Sequence, residues 1–308
     1  MKPTVSVIMN CYNSDAFLKE AIDSVYAQTM SDWEIIFFDN NSTDNSADIA
    51  NSYDKKIHYM RGNKTLPLGA ARNVAINKAQ GKYLAFLDCD DLWMPTKLEK
   101  QVASMESKIS SRNPGISYTD AMRIDEKGLH LMLYSTERTL FSGNVYFQLI
   151  RDCFIACSTC LVDRKAFNFV GGFNNNYKQV EDLDLWLRIA KFYDVVLINE
   201  LLTKIRVHRA NQSRDIFSFV DEKILMIEKL KSDNKEVLSE CDRVLKELQV
   251  RKTIAKLFNL NNKNLFSIVS KFFSLLFYCI SHPKVSFYIL KRYCTLSMFK
   301  LYKYKFLK

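Results

Sequence analysis

Glycine and proline are scarce in this chain, 8 and 5 of 308 residues, with no internal repeat. Those low counts exclude collagen-like, Gly/Ser-linker and proline-rich architectures. Cysteine occurs at Cys11, Cys89, Cys153, Cys157, Cys160, Cys241, Cys279 and Cys294, with no spacing of a disulfide framework. Cys153, Cys157 and Cys160 lack an evident fourth ligand for structural zinc and read as small buried hydrophobes. Met1-Lys2-Pro3 runs into a strand-like segment, not a secretory leader, so a reducing cytoplasm is expected. Long apolar runs are missing too: in the C-terminal stretch the longest charge-free segment, Phe272 to Pro283, is too short to span a membrane. Acidic residues are missing from that stretch altogether. Residues 251–308 hold 12 of the 44 Lys/Arg and none of the 34 Asp/Glu, leaving 32 basic against 34 acidic before them. The net charge of +10 therefore belongs to the tail.

What is present is globular in composition, 48% hydrophobic and 25% charged, and long enough for one large domain or two small ones. The first hundred residues alternate strand and helix. Val5 to Met9 reads as a buried strand, and Leu18, Ala21, Ile22 and Val25 mark one face of a helix. Trp33 to Phe38, Ile57 to Met60 and Tyr83 to Leu87 read as strands, with a helix over about residues 69–79. Such repeated β-α-β units predict an α/β fold with a mainly parallel central sheet flanked by helices. After residue 108 the pattern loosens. Ile116 to Thr119 and Leu129 to Leu133 look like strands, and Leu185, Trp186, Ile189 and Phe192 give another helical apolar face, with Trp186 read as core.

Asp88-Cys89-Asp90-Asp91 crowds three carboxylates onto the end of the strand at Tyr83 to Leu87. Such groups repel one another unless a cation or ligand balances them, and open α/β sheets bind ligands at the carboxyl ends of their strands. Hard oxygen ligands suit Mg2+ or Mn2+ shared with phosphates. A solvated turn capping the helix that begins near Pro95 is the alternative.

Six segments, in order over about residues 3–210, resemble the family 2 (GT-A fold) inverting glycosyltransferases. They are Val5 to Asn13, Asp39 to Asp44, Gly69-Ala70-Ala71-Arg72-Asn73, Phe86 to Asp91, Gly171-Gly172-Phe173 and Glu181 to Trp186. The resemblance implies a metal-dependent transfer of a hexose from a UDP-sugar, with Mn2+ (or Mg2+) as cofactor. It places Asp88 toward the ribose, Asp90 and Asp91 toward the metal, and Arg72 near the nucleotide. A structural pair with the acidic cluster is the plainer reading of Arg72. Asn10, Tyr12 and Asp39 belong to the base pocket, with Tyr12 stacking on the base. Asn40 stands there where the family usually has a second Asp, and its carboxamide can still accept and donate. Asp182 is implied as the general base, with Glu181 and Asp184 as neighbouring substitutes; a helix cap is the other reading of Asp182. His208 is implied to reach the metal or diphosphate, favouring Mn2+, or else to be a solvated loop histidine.

Three regions are expected: a nucleotide-sugar-binding half at 1–105, an acceptor-binding half with the base at 106–215, and a helical basic extension at 216–308. Residues 251–308 alternate aromatic and basic residues, which suits an anionic membrane surface, whereas RNA-binding signatures are missing and no nucleic acid partner is expected. The expected acceptor is a sugar on a polyprenyl diphosphate, such as GlcNAc-PP-undecaprenol, at the inner face of the cell membrane, as in O-antigen or capsule assembly, with glucose or galactose the favoured donor sugar. A sugar-1-phosphate nucleotidyltransferase would need a Gly-rich basic loop where Asn10-Cys11-Tyr12-Asn13 stands. A non-catalytic sugar-binding module would leave Asp90 and Asp182 without a purpose.

Overall fold

The computed structural model describes residues 2–107, 112–208 and 216–259. The chain divides into two compact units, Met1–Arg214 and Asp215–Lys308; the expected halves 1–105 and 106–215 fall in the first but for residue 215.

In chain order the first half holds β1 (Val5–Cys11), α1 (Asp15–Tyr26), β2 (Trp33–Asp39), α2 (Ser46–Asn51), β3 (Ile57–Arg61), α3 (Leu68–Ile76), β4 (Tyr83–Phe86), β5 (Leu92–Trp93) and α4 (Lys97–Glu106). There follow β6 (Pro114–Ile124), β7 (His130–Leu133), α5 (Tyr134–Glu137), α6 (Tyr146–Arg151), β8 (Cys160–Asp163), α7 (Arg164–Phe169), α8 (Glu181–Ala190) and β9 (Asp194–Arg206). The sheet runs β3-β2-β1-β4-β8-β6-β9-β5, with β7 beside β6.

β1 to β4 pair in parallel, and every residue of β2 and β4 is buried. Continuous apolar strands of this kind must be covered on both faces, and helices supply the cover. Leu18, Ala21, Ile22 and Val25 of α1 are all buried, as their spacing requires. Each large side chain of this core, such as Phe37 or Ile35, contributes about 1.5–3 kcal/mol by leaving water. Gly81 does more than interrupt the chain before β4: a Cβ there would lie 2.4 Å from the Ser6 amide nitrogen, so only glycine admits that approach.

Beyond β4 the sheet becomes mixed. β8 is antiparallel to both β4 and β6, while β6 and β9 are parallel to one another. β6 is far longer than the Ile116 to Thr119 core expected from sequence, because it is paired along most of its length by β8, β9 and β7. With β8 reversed, β9 runs in the same direction as β1, β2 and β4. The carboxyl ends of all four therefore open at one edge of the sheet.

The second unit contains α9 (Ile216–Asp233) and α10 (Leu238–Asn259), joined by a short turn at Lys235–Val237 that Asn234 caps. Val220 and Ile227 of α9 and Cys241, Val244 and Leu248 of α10 are buried. Among the described residues no helix is long and apolar enough to cross a membrane. The aromatic and basic run expected to meet a membrane lies, beyond residue 259, outside the described residues.

Candidate active site

The acidic segment leaves β4 at the open edge, and its three carboxylates take different directions. Asp88 is bound through Oδ1 to Arg72 Nη2 at 2.9 Å, with its side chain 43% exposed. Asp90 Oδ2 is hydrogen-bonded to His208 Nε2 at 2.7 Å, across 118 residues of sequence. Burial and Asp88 push the Asp90 carboxyl above the usual range, with His208 pulling the other way. Asp91 is buried and turned from the opening: its Oδ1 accepts the Arg206 amide N–H at 2.9 Å. Burial, with Asp90 and Asp88 beside it, holds Asp91 well above the ordinary carboxylate value against the Ser158 hydroxyl and the Arg206 amide.

The expected metal set of Asp90, Asp91 and His208 is thus not brought together. Among the described residues no three His, Cys, Asp or Glu groups converge on one point. Asp90 and His208 do form a pair, one oxygen and one nitrogen, both partly exposed. That donor pair fits Mn2+ once phosphate oxygens and water complete the shell.

Arg72, on α3, is 3% exposed and holds Asp88 with one terminal nitrogen and Glu181 with the other, at 2.9 and 3.0 Å. A planar guanidinium can hold two carboxylates at once in this way. Glu181 and Asp182 open α8, so Arg72 connects the acidic segment after β4 to the start of that helix. Burial and the adjacent Asp182 push the Glu181 carboxyl up to about 8, against the pull of Arg72. Asp182 is only partly buried, and its Oδ1 accepts the Leu183 amide N–H. Burial raises it too, opposed by the Arg72 charge and that amide. Two residues further on, Asp184 is held by Arg188 at 2.6 Å. Trp186 is fully buried against Phe86, a core residue as expected.

At the end of β1, the Asn10 carboxamide is enclosed, and neither its oxygen nor its nitrogen meets a partner among the described residues. An unsatisfied buried amide is costly, which makes it a natural receptor for a bound ligand. Tyr12 is 54% exposed beside it. Asp39 and Asn40 do not present themselves this way. Asp39 is fully buried, accepting the Ser42 amide N–H at 2.7 Å and the Tyr59 hydroxyl at 2.8 Å. Asn40 faces Leu66 with both ends of its amide, accepting its N–H at 2.8 Å and donating to its carbonyl at 2.9 Å. Here the two residues hold the loops under the opening, Asp39 through the Ser42 amide and the Tyr59 hydroxyl and Asn40 through the Leu66 backbone.

Three residues of the site were not anticipated. Ser158 Oγ accepts the Asp88 amide N–H at 3.1 Å, and Trp93 fixes the Ser158 carbonyl at 2.8 Å. Asn73 closes a two-way amide pair with Phe173 at 2.9 and 3.1 Å, anchoring the Gly171-Gly172-Phe173 turn. Arg206 is fully buried under the acidic segment. Its sequence signal is slight, a cation flanked by Ile205 and Val207 at a strand end that also carries Lys204.

Comparison with known proteins follows the same lines. The model of glycosyl transferase family 2 matches residues 6–170. An uncharacterized glycosyltransferase of Rickettsia felis is 38% identical over 205 residues, 66% of this chain, which spans only 33% of that relative's length. The Escherichia coli UDP-Glc:alpha-D-GlcNAc-diphosphoundecaprenol beta-1,3-glucosyltransferase WfgD is 29% identical over 216 residues, 69% of this chain and 81% of its own. Among solved structures, Staphylococcus aureus TarS 1–349 in complex with UDP-GlcNAc superposes with a TM-score of 0.64 at 18% identity, covering 88% of this chain and 79% of its own. The Pyrobaculum calidifontis mannosyltransferase PcManGT, in complex with GDP-Man and Mn2+, gives 0.62 at 14% identity, covering 96% and 87%. These neighbours share the GT-A fold.

Proposed function

The chain belongs to glycosyl transferase family 2, and from that premise we propose that it moves a hexose, glucose or galactose, from a UDP-sugar to a sugar carried on a polyprenyl diphosphate, with inversion. The observation that carries this reading is Arg72, one buried cation holding the donor-side Asp88 and the acceptor-side Glu181 together. The WfgD name supports the donor and the lipid-linked acceptor, and the UDP-sugar bound by TarS supports the donor class.

Asn10 and Tyr12 take the base, the first with its unpartnered amide and the second with its exposed ring. Asp88 meets the ribose. Asp90 and His208 would hold Mn2+ or Mg2+, with Asp91 steadying the segment from behind. A bound cation would supply Lewis-acid stabilisation of the departing diphosphate. Asp182 accepts the proton of the acceptor hydroxyl as that oxygen attacks the anomeric carbon from the face opposite the diphosphate. Its carboxyl lies at a helix N-terminus, which favours the unprotonated form, while burial makes it a stronger base than a solvated aspartate.

We also propose that the basic stretch 251–308 rests on the inner face of the membrane, where such an acceptor is held. The direct test mixes purified protein, Mn2+, a panel of UDP-sugars and a lipid-diphosphate sugar. Expected is UDP release with one hexose donor, dependent on acceptor. Release unaffected by acceptor, or absent with every UDP-sugar, would refute the reading. Protein truncated after Arg251 is expected to stop sedimenting with anionic liposomes, and unchanged sedimentation would refute the membrane contact.

A further inference from the structure

Arg206 is the largest buried cation that the chemistry above leaves unused, with its side chain 1% exposed. Its guanidinium reaches three segments at once. Nε donates to the Asp90 carbonyl at 3.0 Å, and Nη1 to the carbonyls of Asp125 and Glu126 at 3.3 and 3.1 Å. Nη2 meets Glu20 Oε2 on α1 at 2.9 Å, and the guanidinium carbon stands 4.5 Å from the centre of the Phe17 ring. The Arg206 backbone N–H adds the bond to Asp91. Two residues on, the His208 ring packs against the same Phe17, with centroids 5.3 Å apart.

We infer that Arg206 is the positioning residue that sets Asp90 opposite His208, and so fixes the geometry of the diphosphate end of the donor site. It acts on both members of the pair. The side chain grips the Asp90 backbone, and the same residue, at the last position of β9, carries the chain that delivers His208. The bond from the Arg206 backbone N–H to Asp91 holds that neighbour turned inward, away from Asp90. Lysine would keep the charge and lose the fork. A single ammonium cannot serve Asp90, Glu20 and the turn at 125–126 together. A merely structural arginine would steady the fold and leave ligand affinity alone.

This inference rests on the proposal that Asp90 and His208 hold a cation with the donor diphosphate. The test is titration of full-length wild type and Arg206→Lys with Mn2+ in the presence of UDP, followed by calorimetry and Mn2+ EPR, with a steady-state KM and kcat for each. Expected for R206K is about tenfold or greater loss of Mn2+ and UDP affinity, as for other residues that orient metal ligands, with the pH profile of kcat unchanged. Wild-type affinity in folded R206K would overturn it. If R206K does not fold, Glu20→Gln decides, since Glu20 is 60% exposed and its loss removes only one partner. Weaker UDP binding in E20Q than in wild type supports the inference, and unchanged binding overturns it. Wild type that binds UDP equally tightly with and without Mn2+ would refute the cation proposal separately, and the R206K comparison is then read from UDP affinity alone.

Discussion

Arg72 joins two acidic segments through Asp88 and Glu181, and in each segment a pair of adjacent carboxylates is divided in the same manner. In Asp90-Asp91 at the end of β4, one member is buried and gripped by the Arg206 amide, while the other meets His208 near solvent. In Glu181-Asp182 at the start of α8, Glu181 is buried on Arg72, while Asp182 stays partly exposed with only the Leu183 amide as a hydrogen-bond partner among the described residues. The locked member fixes the backbone, and its neighbour is the one to which the proposed mechanism gives the chemistry. The pairs differ in what balances the exposed member. Asp90 has an imidazole, which suits a shared cation, whereas Asp182 feels the Arg72 charge but has no ion-pair partner among the described residues, which suits a proton acceptor.

The sharpest way to break that comparison is to neutralise the proton acceptor. Asp182→Asn is expected to lower kcat by about 10²–10⁴-fold with donor KM little changed, measured by UDP release. A base works only when unprotonated, and the Asp182 carboxyl is raised above the ordinary value. Wild-type kcat should therefore fall as pH drops through that raised value, and D182N should lack that limb. Asp90→Asn comes next, with an expected loss of about 100-fold in Mn2+-dependent UDP affinity by calorimetry. Asn10→Ala is smaller: about tenfold weaker UDP binding, with a melting temperature equal to or above wild type, because the amide has no partner among the described residues to lose. Glu181→Gln gives the mildest effect. The folded protein holds the Glu181 proton more tightly than the unfolded chain, about 8 against an ordinary 4.5. Stability should then decline as pH rises through that window, and E181Q should flatten the decline in thermal melts.

Much of this arrangement was legible in the sequence because it depends on short-range pattern. The apolar runs of β1, β2 and β4, the spacing of Leu18, Ala21, Ile22 and Val25, and the acidic segment all depend on neighbours within a few residues. What could not be read was direction and occupancy. Nothing local tells that Asp91 turns inward while Asp90 turns outward, since that depends on Arg206 and Ser158, 115 and 67 positions away. Nor could the sequence show that Leu66 takes up both ends of the Asn40 amide and leaves Asn10 unsatisfied. β8 was hidden for another reason. Its four residues, Cys-Leu-Val-Asp, are too few to establish a period, yet they reverse the sheet and so bring β9 and His208 to the site.

The division of labour is tested most directly by titrating UDP, in the presence of Mn2+, into folded D182N and D90N. Expected is wild-type affinity without transfer in D182N, and weakened affinity in D90N. Full transfer by D182N, or unimpaired binding by D90N, would contradict it.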